Sequence, residues 1–185
     1  MPNLTFIMNR SNAVSKYTKR KIWIHWVSTV LIFILIYTGI TIEHAAHIPE
    51  KFFLYKMHFV VGINVFILNM IRIIALIRDM RPATLYPEKS VHQKFIHAVH
   101  YGFYVVILWM CNSGILSLFL EGIYPSLIHN DFSELPKISG DGFHPIMLSH
   151  HIVAKFVFLL LIFHILGFLI HLLRKKENTL KRIWL

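Results

Sequence analysis

Eight histidines stand in or at the edges of long apolar stretches: His25, His58, His97, His100, His150, His151, His164 and His171. A polar side chain within lipid is costly, so each is a functional candidate by default. Four of them form a pattern. If the stretches are α-helices crossing a membrane in alternating directions, His25 and His164 approach one face, and His58 and His150 the other. His150 and His164 are fourteen residues apart, close to four turns, so they share a helix face at a separation of about 21 Å. The same interval separates His58 from Arg72 and His25 from Gly39. Two imidazoles facing each other across a bundle interior can hold a haem iron axially from opposite sides.

Depth and direction therefore expect His25 and His164 to bind an inner haem, and His58 and His150 an outer one. Cys111 is the only cysteine, and no Cys-x-x-Cys-His segment occurs, so both haems would be non-covalent. Gly39, Gly62 and Ala154 are small enough to let a flat macrocycle approach the backbone. Haem propionates are anionic, and Arg72 is the candidate partner at the inner level, with Lys51 or Lys56 at the outer. His171 lies two turns beyond His164 on the same face and is a candidate for a quinone headgroup or a propionate. His97 and His100 open the third helix one turn apart. They could replace an inner ligand, bond a propionate or face headgroups, the last being the default. Solvated or structural roles are expected for His44, His47, His92, His129 and His144. Zinc and a proton path are the competing chemistries. Zinc favours tetrahedral sites with several close ligands, whereas each level here offers two main rings.

The elements that must position these rings are four apolar stretches, 22–42, 57–77, 95–120 and 146–173. Each reaches the roughly 20 residues needed for a transmembrane helix. Of the 185 residues, 56% are apolar or aromatic, well above the usual globular share. The expected fold is all-α, an integral membrane four-helix bundle forming one domain over 1–185, with basic tails at 1–20 and 174–185. No internal repeat stands out. The first stretch is too long for a secretory signal and is followed by three more.

The formal charge of +10 suggests nucleic acid only until its distribution is read. Basic residues cluster before the first stretch (Arg10, Lys16, Lys19, Arg20, Lys21), between the second and third (Arg78, Arg81, Lys89, Lys94), and after the fourth (Arg174, Lys175, Lys176, Lys181, Arg182). The alternate loops carry few. This positive-inside pattern puts both N- and C-termini in the cytoplasm and the basic clusters against anionic membrane lipid. No nucleic-acid partner is expected.

Several stretches together resemble the bacterial cytochrome b561 family: "IHW" at 24–26, "MHFVVGI" at 57–63 with Arg72 beyond it, "KFIHAVHYGFY" at 94–104, "SHHIVAKFVFLLLIFHILGFLIH" at 149–171 and "NTLKR" at 178–182. The resemblance implies a di-haem, four-helix cytochrome b of the bacterial inner membrane. It also implies His25 and His164 as inner ligands and His58 and His150 as outer ligands. Members pass electrons between a quinone and a second partner. A superoxide oxidase-like activity, superoxide:ubiquinone oxidoreductase, is one expectation, with superoxide as the outer donor and ubiquinone as the redox partner. The alternative is a haem b membrane anchor that docks a redox protein, a dehydrogenase or hydrogenase. One feature weighs against superoxide. An anionic radical should be drawn in by positive charge, yet the last outer loop has Glu121, Asp131, Glu134 and Asp141 against Lys137. Metal transport would need acidic residues within the membrane, and the later helices carry none away from their ends.

Overall fold

A computed structural model describes residues 17–45, 49–78, 91–136 and 144–173, the side chains of Pro49, His92 and His171 excepted. Five α-helices and one short 3-10 turn make up the described elements, with no strand among them. They are α1 (Lys19–His44), α2 (Pro49–Arg78), α3 (Val91–Leu120), α4 (Tyr124–His129), the 3-10 turn Phe132–Glu134, and α5 (Pro145–Leu173). The four long helices, α1, α2, α3 and α5, are each long and apolar enough to cross a membrane. At 26 to 30 residues they span roughly 39–45 Å, more than the roughly 30 Å hydrocarbon layer. Each helix therefore continues past its apolar stretch into the polar zone. Thr18 caps α1, its hydroxyl accepting from the Lys21 amide at 3.5 Å, and Pro49 opens α2 where a missing amide hydrogen costs nothing.

The residue distribution is that of a bundle in lipid. Ser28, Thr38, Asn69, Ser113 and Ser117 are buried, while Ile77 is 80% and Val105 67% exposed. In water the large apolar side chains would go inside. In lipid, small hydroxyl residues let helices approach closely and large apolar ones face acyl chains. Successive long helices pack side by side, α1 on α2, α2 on α3 and α3 on α5. Asn69 donates from its amide to the Tyr104 carbonyl at 3.3 Å, fastening α2 to α3.

Two ends of the bundle can be distinguished. Lys19, Arg78, Val91 and Leu173 lie at the terminal end, and His44, Pro49, Leu120 and Pro145 at the loop end. The loop end is built over by the segment after α3. Helix α3 stops in a Schellman arrangement: the Ile123 amide donates to the Leu118 carbonyl at 2.9 Å and the Gly122 amide to Phe119 at 3.2 Å. Gly122 takes φ +68 there, a left-handed conformation that suits glycine. Ile123 and Leu118 then join Phe52 and Leu135 in a small apolar core, so α4 and the 3-10 turn lie down against α2. His144 closes the segment by capping α5, its Nδ1 accepting from the Ile146 amide at 3.2 Å. The His144 amide donates to the buried Glu121 carboxylate at 2.6 Å.

The basic segments 1–16, 79–90 and 174–185, the outer-loop Lys137, His47 and the His171 side chain all lie outside the described residues.

Candidate functional site

The four histidines selected by depth and direction meet in two pairs. His25 on α1 and His164 on α5 have ring centroids 6.2 Å apart toward the terminal end. His58 on α2 and His150 on α5 have centroids 6.4 Å apart toward the loop end. A metal–imidazole bond is about 2 Å, and the ring centroid lies about 1 Å further back. Two rings gripping one metal from opposite sides therefore have centroids about 6 Å apart. Both pairs have this spacing, so the residues fit axial ligation of a haem iron.

At the loop level the orientation of each ring is also set. The Thr38 hydroxyl lies 2.9 Å from the Ile34 carbonyl and 3.2 Å from Leu35, so its hydrogen goes to the backbone. Its oxygen is then free to accept, and His58 Nδ1 lies 2.8 Å away. Ser113 repeats this: its hydroxyl is 3.2 Å from the Met110 carbonyl and 3.0 Å from His150 Nδ1. A neutral imidazole carries one proton and one lone pair on its two nitrogens. With Nδ1–H donating to a hydroxyl, the lone pair is on Nε2, as a metal ligand requires.

Next to each hydroxyl stands a glycine that the ring packs against. A methyl group at Gly39 would come 3.4 Å from His58 Cε1, and one at Gly114 would come 3.2 Å from His150 Cε1. The two helical hairpins, α1–α2 and α3–α5, therefore carry the same device, and the equivalence extends further. His25 precedes Thr38-Gly39-Ile40 by thirteen residues, and His100 precedes Ser113-Gly114-Ile115 by thirteen. His58 and Arg72, like His150 and His164, are fourteen apart. The sequence reading found no repeat. Helix packing exposes one, because only six positions in each hairpin correspond and the lipid-facing residues between them do not.

The terminal level is the asymmetric version of the same arrangement. The hairpin equivalence pairs His25 with His100, and Arg72 with His164. All four side chains gather there. The His100 ring lies 5.3 Å from that of His164, nearly perpendicular, and Phe103 lies 5.6 Å from it on the same helix. Arg72 sits 5.4 Å over the Tyr104 ring and interacts electrostatically with His25, His100 and His164. His100 thus meets the histidine cluster, contrary to the default of facing headgroups alone. His97 instead bonds the Gln93 side chain at 2.8 Å.

Lys51 and Lys56, at the loop end, are occupied elsewhere. Lys51 donates to the Ala45 carbonyl at 3.1 Å. Lys56 donates to the Asn130 side chain at 2.7 Å and lies 4.7 Å over the Phe52 ring. Of the loop histidines, His129 bonds Glu134 at 2.8 Å and His44 the Ile40 carbonyl at 2.8 Å, structural roles as expected. The Asp131 carboxylate caps the 3-10 turn, and the Ser133 amide bonded to it holds its pKa below the ordinary value. Among the described residues, no group of three or more His, Cys, Asp or Glu is arranged to hold a metal ion, so a tetrahedral zinc site has no support there.

Sequence reasoning named the four rings, Gly39 and Arg72, but missed Thr38, Ser113 and Gly114. A signal existed in the Thr-Gly-Ile and Ser-Gly-Ile tripeptides at one interval from a histidine.

Fold and site together define a multi-pass membrane protein with paired, half-buried imidazoles at two depths. The sequence matches the family model for prokaryotic cytochrome b561 over residues 16–185, and the chain belongs to that family. The family is one of membrane cytochromes that bind haem b and transfer electrons. No curated protein matches the sequence.

Proposed function

We propose that the protein is a di-haem b electron carrier, a single membrane domain with both termini in the cytoplasm. On this reading His25 and His164 hold one haem and His58 and His150 the other. The observation that carries the reading is the spacing of the two ring pairs, 6.2 and 6.4 Å, each matching the span of one metal between two axial imidazoles. Haem bound there supplies one-electron chemistry between ferric and ferrous iron.

The chain contributes position and environment. With one ring on each side, the pairs His25/His164 and His58/His150 would leave a haem iron no open coordination site for dioxygen. The large apolar residues on the outside of the bundle keep water and ions from the interior. Fourteen residues of α5 set the two levels about 21 Å apart along the membrane normal. Arg72 supplies a permanent positive charge at the terminal level, suited to a propionate. The positive-inside distribution puts the terminal level at the cytoplasmic side.

A quinone is the proposed redox partner, exchanging electrons at one face while a donor acts at the other. Superoxide is a weaker candidate for that donor. Lys51 and Lys56 are held by Ala45, Asn130 and Phe52, and exposed Asp131 and Glu134 flank the loop end. Steering of an anion toward the outer pair is therefore poor. An anchoring role would show as dependence on a second redox protein.

Purified protein should contain two haem b per chain by pyridine haemochrome, reducible by a quinol analogue without added protein. One haem or none per chain overturns the di-haem reading. Haem that is reduced only with an added dehydrogenase or hydrogenase favours the anchor.

A further inference from the structure

We infer that Thr38 and Ser113 are a matched pair of positioning residues that hold His58 and His150 in the ligating tautomer and set the redox potential of that level alone. The inference rests on reading His58 and His150 as haem ligands.

Three observations carry it. First, each hydroxyl lies within donor reach of a backbone carbonyl, which turns its lone pairs to the imidazole; at His150 the Met110 carbonyl stands beside Ser113 as a second acceptor. Each can then accept from Nδ1–H, at 2.8 and 3.0 Å. Second, the arrangement occurs once in each hairpin, in a matching hydroxyl-Gly-Ile tripeptide and with the adjacent glycine against the same ring carbon. Third, the terminal level lacks it. Thr29, one turn from His25, gives its hydroxyl to the His25 carbonyl at 2.9 Å, and Ser28 is buried with its hydroxyl unpartnered. Among the described residues no hydroxyl bonds the His25 or His164 ring.

The chemistry follows from ligand strength. An imidazole that donates through Nδ1–H is a stronger electron donor through Nε2. A stronger donor favours ferric over ferrous iron, so each hydroxyl lowers the potential of the metal its histidine holds. A carboxylate would do the same more strongly, but at the cost of burying a charge in lipid. A hydroxyl whose own hydrogen is already bonded to the helix gives the effect without that cost. The adjacent glycine lets the ring come close enough for the bond to form.

The test is an optical redox titration of the purified full-length protein, with low-temperature electron paramagnetic resonance of the ferric form. His58→Ala first identifies the loop-level haem as the one it removes. Thr38→Val and Ser113→Ala should each shift that haem toward the reduced form about tenfold, or about 59 mV upward for one electron, and change its resonance. The other haem should keep its potential. Thr38→Ser should restore the wild-type value. Loss of the loop-level haem in Thr38→Val but not in Thr38→Ser would also support the positioning role. No shift in either variant, an equal shift of both haems, or failure of Thr38→Ser to restore would overturn it. If His58→Ala removes no haem, the ligand reading fails instead, and the two failures are distinguishable.

Discussion

Gly114→Ala should weaken the loop-level haem selectively, and the size of the effect can be worked from neighbouring glycines. An added methyl at Gly114 would lie 3.2 Å from His150 Cε1, several tenths of an ångström inside ordinary carbon–carbon contact. At Gly102 it would lie equally close, 3.2 Å, but to Leu160 Cδ2. The distances match and the neighbours differ. Leu160 ends in a flexible side chain that can rotate aside. The His150 ring is held by Ser113 on one nitrogen and, on the proposed reading, would be held by iron on the other, so it could yield only by stretching one of the two. Overpacking of a tight site costs about 1–3 kcal/mol, which is about 5- to 150-fold in haem retention at that level. Gly39→Ala, with His58 Cε1 at 3.4 Å, should fall below this, and Gly62→Ala, with Leu35 Cδ2 at 4.0 Å, should be near neutral. The assay is haem per chain and the two-step reductive titration on all four purified variants. If Gly102→Ala loses the loop-level haem as readily as Gly114→Ala, or if Gly114→Ala depletes the terminal level, the packing argument is wrong.

Other consequences can be checked together. His100→Ala should retain both haems, with the spectrum of the terminal level altered, because His100 packs against His164 rather than completing a ligand pair. Loss of a haem in that variant would make His100 a ligand. Arg72→Leu should destabilise the terminal-level haem and leave the other, read as a haem ratio falling toward one; Arg72→Lys should recover part of it, since the charge remains. Glu121→Ala would leave the His144 amide without its acceptor at about 1–3 kcal/mol, loosening the loop end, while Glu121→Gln keeps an acceptor; limited proteolysis of the segment between α3 and α5 should separate the two. Asp131 contributes to its turn only when ionised. Its folded pKa is depressed, so that contribution is present above the ordinary carboxylate range and is lost as pH falls through the lower folded value. Asp131→Asn should remove this acid sensitivity in the same proteolysis assay.

The four spans and the two histidine levels were legible because lipid imposes a simple rule: long apolar runs, with any polar exception carrying a reason. Helical periodicity then put His150 and His164 on one face without any knowledge of the fold. The helix ends were less legible. Helix α3 begins at Val91, four residues before the apolar stretch, since backbone hydrogen bonding continues into the headgroup zone where composition turns polar. The small helix α4 and its 3-10 turn were read as loop, because six residues show too little periodicity. Thr38 and Ser113 were passed over for another reason. A buried hydroxyl in a membrane helix usually bonds its own backbone, and only the docking of α2 against α1 and of α5 against α3 brings a ring to its other side. Depth alone leaves His100 open to a ligand, propionate or headgroup role, with headgroups the default, and only the packing of α3 on α5 shows its ring against His164.

The pairing of ligands is tested most directly by measuring which haem each single alanine variant loses. His58→Ala and His150→Ala should lose the same haem, identified by its potential and low-temperature spectrum, and His25→Ala and His164→Ala should both lose the other. Variants on opposite sides of one pair that lose different haems, or that each retain both, would contradict the account.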